Sequence, residues 1–235
     1  MLGFNSTPRL GSLSLLPPNG ELFFNTGRKR HGMSAELPLS QQMDESVVPL
    51  GTKNGIELAI LRRSKKTLGE VIGKPDSPDL SEGVRIDPLQ IHPDDRGFFV
   101  ELTRLGEGLA TKMLPEGNRR IQVSFTLTYP GIIKSFHYHA EQTDLWVPIS
   151  GMVQVFLYDL RRNSKTFGLI NTIFVGSYRP WEILIPPVVG HGYKALGGAP
   201  IQFLYFTDRH YNPADEFRIT YNDSWTAYDW ETQHK

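Results

Sequence analysis

From Gly83 onward the chain is written in short apolar or alternating runs, each closed after a few residues by Gly, Pro, Asn or Asp. Alternation with a period of two gives a strand one buried face, and turn residues at this density leave no room for helices of ordinary length. The spacing predicts an all-β sandwich or barrel. Strands are expected over 84–91, 98–103, 122–129, 132–138, 145–148, 152–159, 169–175, 181–185, 191–195 and 201–207. The stretch between Arg104 and Leu114 is the one segment of this region that fits a helix.

The chain ahead of this region reads differently. Residues 1–50 are expected to be a disordered leader, with Pro17, Pro18 and few periodic apolar positions. Within the first 32 residues Glu21 is the single acid beside Arg9, Arg28, Lys29 and Arg30, a faint transit-peptide character, and Met33 and Met43 each offer an alternative start. Residues 51–82 form an N-terminal extension, in which Ile56–Arg63 and Lys65–Gly73 fit either a short strand or one amphipathic helix before Pro75, Ser77 and Pro78 break it. Residues 83–235 are then the functional domain.

Charge and composition exclude several classes of function. Lys and Arg number 25, as do Asp and Glu, and the basic residues of the domain are scattered rather than striped, so no nucleic-acid partner is expected. Apolar runs such as 181–189 are short and interrupted by proline, well under the ~20 residues of a membrane helix, so no membrane span is expected. There is no cysteine, which removes disulfides, thiolate metal sites and cysteine nucleophiles and is compatible with a cytoplasmic location. A small polar ligand suits the chain best.

One cluster of residues carries chemistry. His137-Tyr138-His139 lies between Gly131 and Gly151, with Asp144 following, and Pro186-Pro187-Val188-Val189-Gly190-His191 supplies a further histidine at a later strand. On a strand of period two, His137 and His139 share a face and converge on one point inside a barrel. His137, His139, Asp144 and His191 are together a plausible divalent-metal set, with iron, manganese or nickel as suitable as zinc; the alternative is a metal-free polar pocket. Their order and spacing resemble the two motifs of the cupin superfamily, which implies a jelly-roll, double-stranded β-helix barrel.

A more specific resemblance spans about 150 residues. Asp94-Asp95-Arg96-Gly97-Phe98-Phe99-Val100-Glu101, the segment from Gly131 through His137-Tyr138, Asp159-Leu160-Arg161 with Ser164 and Phe167-Gly168, His191-Gly192-Tyr193, then Tyr205, Tyr211, Pro213, Glu216 and Trp230 follow one another in order. Together they resemble the dTDP-4-dehydrorhamnose 3,5-epimerase family. The resemblance implies an isomerase acting on a nucleotide-linked 4-keto-6-deoxy sugar, with no cofactor and as a homodimer whose N-terminal strands exchange between subunits. It further implies His137 as the base that takes the proton beside the ketone and Tyr205 as the acid on the opposite face. Arg96 would hold the pyrophosphate, with Glu101 and Gln122 placing the nucleotide or sugar, Tyr211 packing on substrate, and Phe99, His139 and His191 beside them.

The departures from the family pattern are chemical. Lys134 and Ser135 stand where the family has an arginine and a glycine, and three positions before His137 a regular strand turns Lys134 away from the pocket. Asp144 falls where the family has its enolate-stabilising lysine, and His139 replaces a glutamine. The family's orienting aspartate lies beyond the last tryptophan, and the sequence holds no match in the five residues after Trp230. Asp144 is therefore expected either to orient His137 or, with His139, to turn the pocket into a metal site. A nitrogen of His137 bound to metal cannot also be the free base, so the two readings compete. A third possibility is a sugar-nucleotide binding module that has lost catalysis.

Overall fold

Strand formation follows the alternation closely. The computed structural model describes residues 46–111 and 120–231. Its strands are Val47–Lys53 (β1), Ile56–Leu61 (β2), Glu70–Val71 (β3), Arg85–Pro88 (β4), Ile91–Asp94 (β5), Gly97–Val100 (β6), Gln122–Thr128 (β7), Ile133–Tyr138 (β8), Asp144–Ser150 (β9), Met152–Asp159 (β10), Ile170–Gly176 (β11), Trp181–Ile185 (β12), Val189–Leu196 (β13), Ile201–Thr207 (β14) and Phe217–Arg218 (β15). One sheet runs β15-β8-β13-β10-β11-β3 and another β4-β12-β9-β14-β7. Apart from the parallel β3 edge, their pairings are antiparallel. The two sheets enclose a core of Val153, Val155, Leu157, Ile173 and Val175 from one side and Trp146, Ile183, Ile185, Ile201 and Phe203 from the other. This is the cupin-type jelly roll.

β10 is buried on both faces, which is why it reads as a nearly unbroken apolar run. Val153, Val155 and Leu157 face the inter-sheet core, while Phe156 and Tyr158 face outward into a second cluster with Leu58, Ile60, Phe136, Tyr228 and Trp230. The cover comes from the hairpin β1–β2 and from the C-terminal segment. The hairpin turns at Asn54-Gly55, both with positive φ (48° and 77°), as a tight two-residue β-turn requires. The Tyr158 hydroxyl accepts from the Leu61 amide at 2.8 Å and ties the hairpin down. Of the two readings open for the 56–71 stretch, strand is the outcome, with a partner strand over Val47–Lys53 that the apolar pattern does not announce. Val47–Leu50, assigned to the leader, thus lie in β1, and residues 1–45 of that leader lie outside the described residues.

Two expectations need correction. The strand expected over 84–91 divides into β4, which joins the five-stranded sheet, and β5, which pairs only with β6 in a separate hairpin. Between Arg104 and Leu114 the described residues hold a single 3-10 turn, Gly108–Thr111, because Gly106 and Gly108 take positive φ and interrupt any helix; residues 112–119 lie outside the described set. The family-like Asp159 does structural work: it is fully buried and accepts from Arg161 (2.8 Å), Ser164 (2.5 Å) and Thr166 (2.6 Å), closing the loop to β11.

A buried acid on β12 makes the fold pH-sensitive. Glu182 is paired across strands with Asp87, and its Oε2 has no hydrogen-bond partner. Burial, then the charge of Asp87, push its carboxyl up to about 7. The folded chain therefore keeps this proton to higher pH than the unfolded chain. The stability so contributed is complete below the unfolded value of 4.5 and is lost as pH rises toward about 7. Glu182→Gln should be more stable than the parent at about pH 8, with the difference closing by about pH 4, as read by urea unfolding at the two pH values.

Candidate active site

A cavity of about 650 Å³ opens between the sheets. β8 and β13 supply Lys134, His137 and Tyr193, and β7, β9 and β14 supply Gln122, Asp144, Trp146 and Tyr205. His139, Gln142, Tyr211, Glu216 and Arg218 complete the rim. Of the residues expected at a substrate, the cavity thus gathers His137, His139, Lys134, Asp144, Tyr205, Gln122 and Tyr211; His191, buried beside it, stacks edge-on against His137 at 4.2 Å between ring centroids.

Lys134 reaches this cavity for a reason that regular alternation hides. β8 pairs with β13 as His137↔His191 and then Lys134↔Tyr193, three residues on one strand against two on the other. The bulge reverses the parity of β8, so Lys134 shares the cavity with His137 while Phe136 and Tyr138 point into the outer cluster. Gly192 lies opposite the bulge, where a Cβ would come within 2.6 Å of Ser135 Oγ and 2.8 Å of the Lys134 carbonyl oxygen. Lys134 Nζ donates to Thr126 Oγ1 at 2.6 Å, and burial pushes its ammonium pKa down.

The polar centre is built with fixed protons. His139 and His191 face the backbone carbonyls of Asp215 (2.9 Å) and Val189 (2.8 Å) through Nδ1. A carbonyl only accepts, so Nδ1 carries a proton in each ring and Nε2 is the nitrogen left for other partners. His191 Nε2 lies 3.2 Å from Asp144 Oδ2, yet it is off-line for a hydrogen bond and has no hydrogen-bond partner. The Asp144 carboxylate accepts from Gln142 at 2.7 Å and from Trp146 at 3.2 Å. Burial alone would raise the Asp144 carboxyl, but interaction with His191 and the neighbouring imidazoles outweighs it and holds the group at about 2. Burial, then His191, push His137 well below the ordinary histidine range, with Asp144 only partly offsetting them. The imidazole within ion-pair distance of Asp144 is His191 rather than His137.

Arg96, Phe99 and Glu101 are not among the residues lining this cavity. Arg96 sits at the tip of the β5–β6 hairpin with its side chain 82% exposed, paired with Asp94, and Phe99 and Glu101 border a separate cleft with Asp87 and Glu182. Motif reading passes over Gln142, Trp146, Arg218 and Asp215. Gln142 and Trp146 flank Asp144 at two residues either side, so period-two reading through Asp144 puts them on its face. Asp215 carries a stronger structural duty. Its carboxylate accepts from the amides of Ala140 (2.8 Å) and Glu141 (3.3 Å), fixing the loop that carries His139.

The barrel and its histidine-lined cavity define a cupin-type protein. Within that class the chain belongs to the dTDP-4-dehydrorhamnose 3,5-epimerase family, whose profile matches residues 79–235. It is 43% identical over 156 residues to the spore coat polysaccharide biosynthesis protein SpsL of Bacillus subtilis, covering 66% of this chain and 99% of that protein. A probable low-salt glycan biosynthesis epimerase of Haloferax volcanii is 34% identical over 153 residues, covering 64% of this chain and 94% of the other. Among solved structures, the dTDP-6-deoxy-D-glucose-3,5-epimerase of Legionella pneumophila, in complex with dTDP-4-keto-L-rhamnose, superposes with a TM-score of 0.56 at 28% identity over 65% of this chain and 80% of its own.

Removing the Asp215 carboxylate should free the 139–141 loop. Asp215→Ala is expected to lower the unfolding free energy by about 1–3 kcal/mol, and Asp215→Asn, which keeps one acceptor, by less, both read from urea denaturation.

Proposed function

We propose that the protein epimerises a nucleotide-linked 4-keto-6-deoxy sugar, removing a proton beside the ketone and returning one to the opposite face. The observation that carries this reading is that His137 and Tyr205 stand on the two different sheets walling one cavity. Inversion needs a base on one side of the sugar ring and an acid on the other, and two facing sheets meet that need. His137 supplies an imidazole nitrogen that can accept the proton, and Tyr205 supplies a hydroxyl from the far wall. The electron pair left on carbon moves onto the ketone oxygen as an enolate, which a hydrogen-bond donor or cation must stabilise. Lys134 and Arg218 bring positive charge to the cavity. Side chains alone can carry such proton transfers, so the reading requires no organic cofactor. A soluble nucleotide sugar as substrate suits the cytoplasm, where we place the reaction.

The test is proton NMR of dTDP-4-keto-6-deoxyglucose in heavy water. The C3 and C5 proton signals should vanish with the parent protein, and His137→Ala should slow their loss by at least ~100-fold. Tyr205→Phe should retain exchange through His137 while inversion falls. No exchange at either carbon would overturn the reading for this substrate.

We also propose a homodimer in which the β5–β6 hairpin of each chain brings Arg96, Phe99 and Glu101 to the partner's cavity. Exposed apolar residues favour it: Phe98 and Phe99 on the hairpin are 62% and 65% exposed, and Val123, Phe125 and Leu127 form a stripe along the edge strand β7. In a two-fold dimer Arg96 and His137 of one site would come from different chains. Arg96→Ala and His137→Ala, each defective alone, should therefore recover exchange when mixed by unfolding and refolding together. A single-chain mass in solution, or no recovery from a verified mixed dimer, would refute this arrangement.

A further inference from the structure

Asp144 presents a physical problem that the epimerase reading leaves open. It is 3% exposed and carries negative charge at the inner end of the cavity, where an enolate would need positive charge. Around it are two imidazoles whose Nε2 atoms are left free of backbone partners, because backbone carbonyls hold their Nδ1 atoms. In their neutral forms His139 and His191 turn lone pairs toward the same buried point as the carboxylate, an arrangement that a cation between them stabilises.

We propose that His139, Asp144 and His191 bind a single divalent transition-metal ion, and that His137 stays free beside it as the base. The donor atoms of these residues, with that of His137, all lie within 4.8 Å of one another. The 3.2 Å between His191 Nε2 and Asp144 Oδ2 is the separation of two donors about 2.1 Å from a common ion at an angle near ~100°, between tetrahedral and octahedral values. A proton shared by the pair would have to lie close to the line between the atoms, and the geometry of His191 Nε2 does not offer one there. An ion sits off that line, along both lone pairs.

The surroundings match a metal site in a further way. Each histidine ligand donates its other nitrogen to a carbonyl, and the carboxylate is held by Gln142 and Trp146, so the ligands are oriented before any ion arrives. Among the described residues no carbonyl fixes the tautomer of His137 in this manner, which leaves that ring available for proton transfer. Nitrogen and carboxylate ligands without thiolate suit first-row ions such as Mn(II), Fe(II), Co(II) or Zn(II). An ion at this position would offset the Asp144 charge and supply positive charge for the enolate. The role in catalysis rests on the epimerase reading; the ion binding does not.

The test begins with full-length protein stripped by chelator and titrated with Co(II), followed by visible absorption and by metal analysis. One ion per chain should bind, with d–d bands indicating a nitrogen and oxygen coordination sphere. His191→Ala and Asp144→Asn should abolish stoichiometric binding, Gln142→Ala should weaken it by about 10–100-fold without touching the ion, and His137→Ala should still bind one ion per chain. Circular dichroism checks that each variant is folded, and the parent titration stands whatever the variants do. Failure of the folded parent to bind a stoichiometric ion would overturn the proposal, as would loss of binding in folded His137→Ala, which would make His137 a ligand. Full proton exchange by the stripped protein would overturn the catalytic role and leave the epimerase reading intact. Stoichiometric Co(II) with no exchange in either form would keep the ion site and remove the epimerase reading.

Discussion

The site depends on a missing side chain. At Gly192 the backbone of β13 lies so close to β8 that no Cβ fits without displacing Ser135 and the Lys134 carbonyl. That closeness accommodates the bulge by which three residues of β8 pass two of β13, and the bulge lets Lys134 and His137 serve the same cavity. It also leaves Phe136 and Tyr138 on the outer face, where they are buried under the C-terminal segment. One local irregularity therefore sets both the polar centre inside the barrel and the aromatic packing outside it. A side chain at Gly192 would disturb the two together.

The barrel was readable from sequence because its strands alternate and its turns are marked. Val153, Val155 and Leu157 against Phe156 and Tyr158 show why even a continuous apolar run such as β10 could be read: both of its faces are covered. The β1–β2 hairpin was harder. Its turn residues Asn54-Gly55 are the strongest local signal, but the flanking strands are short, partly exposed and bulged at Pro49/Gly51, so their periodicity is weak. The split of 84–91 into two strands was invisible because pairing partners are set by tertiary structure and not by local pattern.

The candidate site shows the same division. His137, His139, Asp144 and His191 were legible from residue type and spacing, and Tyr205 from resemblance. Regular alternation would have turned Lys134 away, since a bulge has no signature in the residues that form it beyond a permissive glycine on the other strand. Asp215 and Arg218 were missed because the first closes the 3-10 turn Pro213–Asp215, the second lies in the two-residue strand just after it, and neither belongs to an alternating run. Their positions follow from the path of the C-terminal segment, which returns across β8 and pairs Arg218 with His137. Arg96, Phe99 and Glu101 show the limit of motif transfer within one chain: residues adjacent in a family pattern need not meet inside a single copy.

The hairpin that covers the six-stranded sheet lies outside the stretch that defines the family, which begins at residue 79. Leu58 and Ile60 nonetheless lie in the outer aromatic cluster, Lys53 sits 4.2 Å over the Phe217 ring, and Asn54 donates to the Ala140 carbonyl in the loop that bears His139. The unit that inheritance recognises and the unit that folds are therefore different lengths of chain. A fragment cut at the family boundary would keep every candidate ligand and acid–base group, and the C-terminal cover, while losing the hairpin's share of the cover, Leu58 and Ile60. Comparison by homology would count such a fragment as whole, although the part of its outer sheet face that the hairpin covers would be open to water.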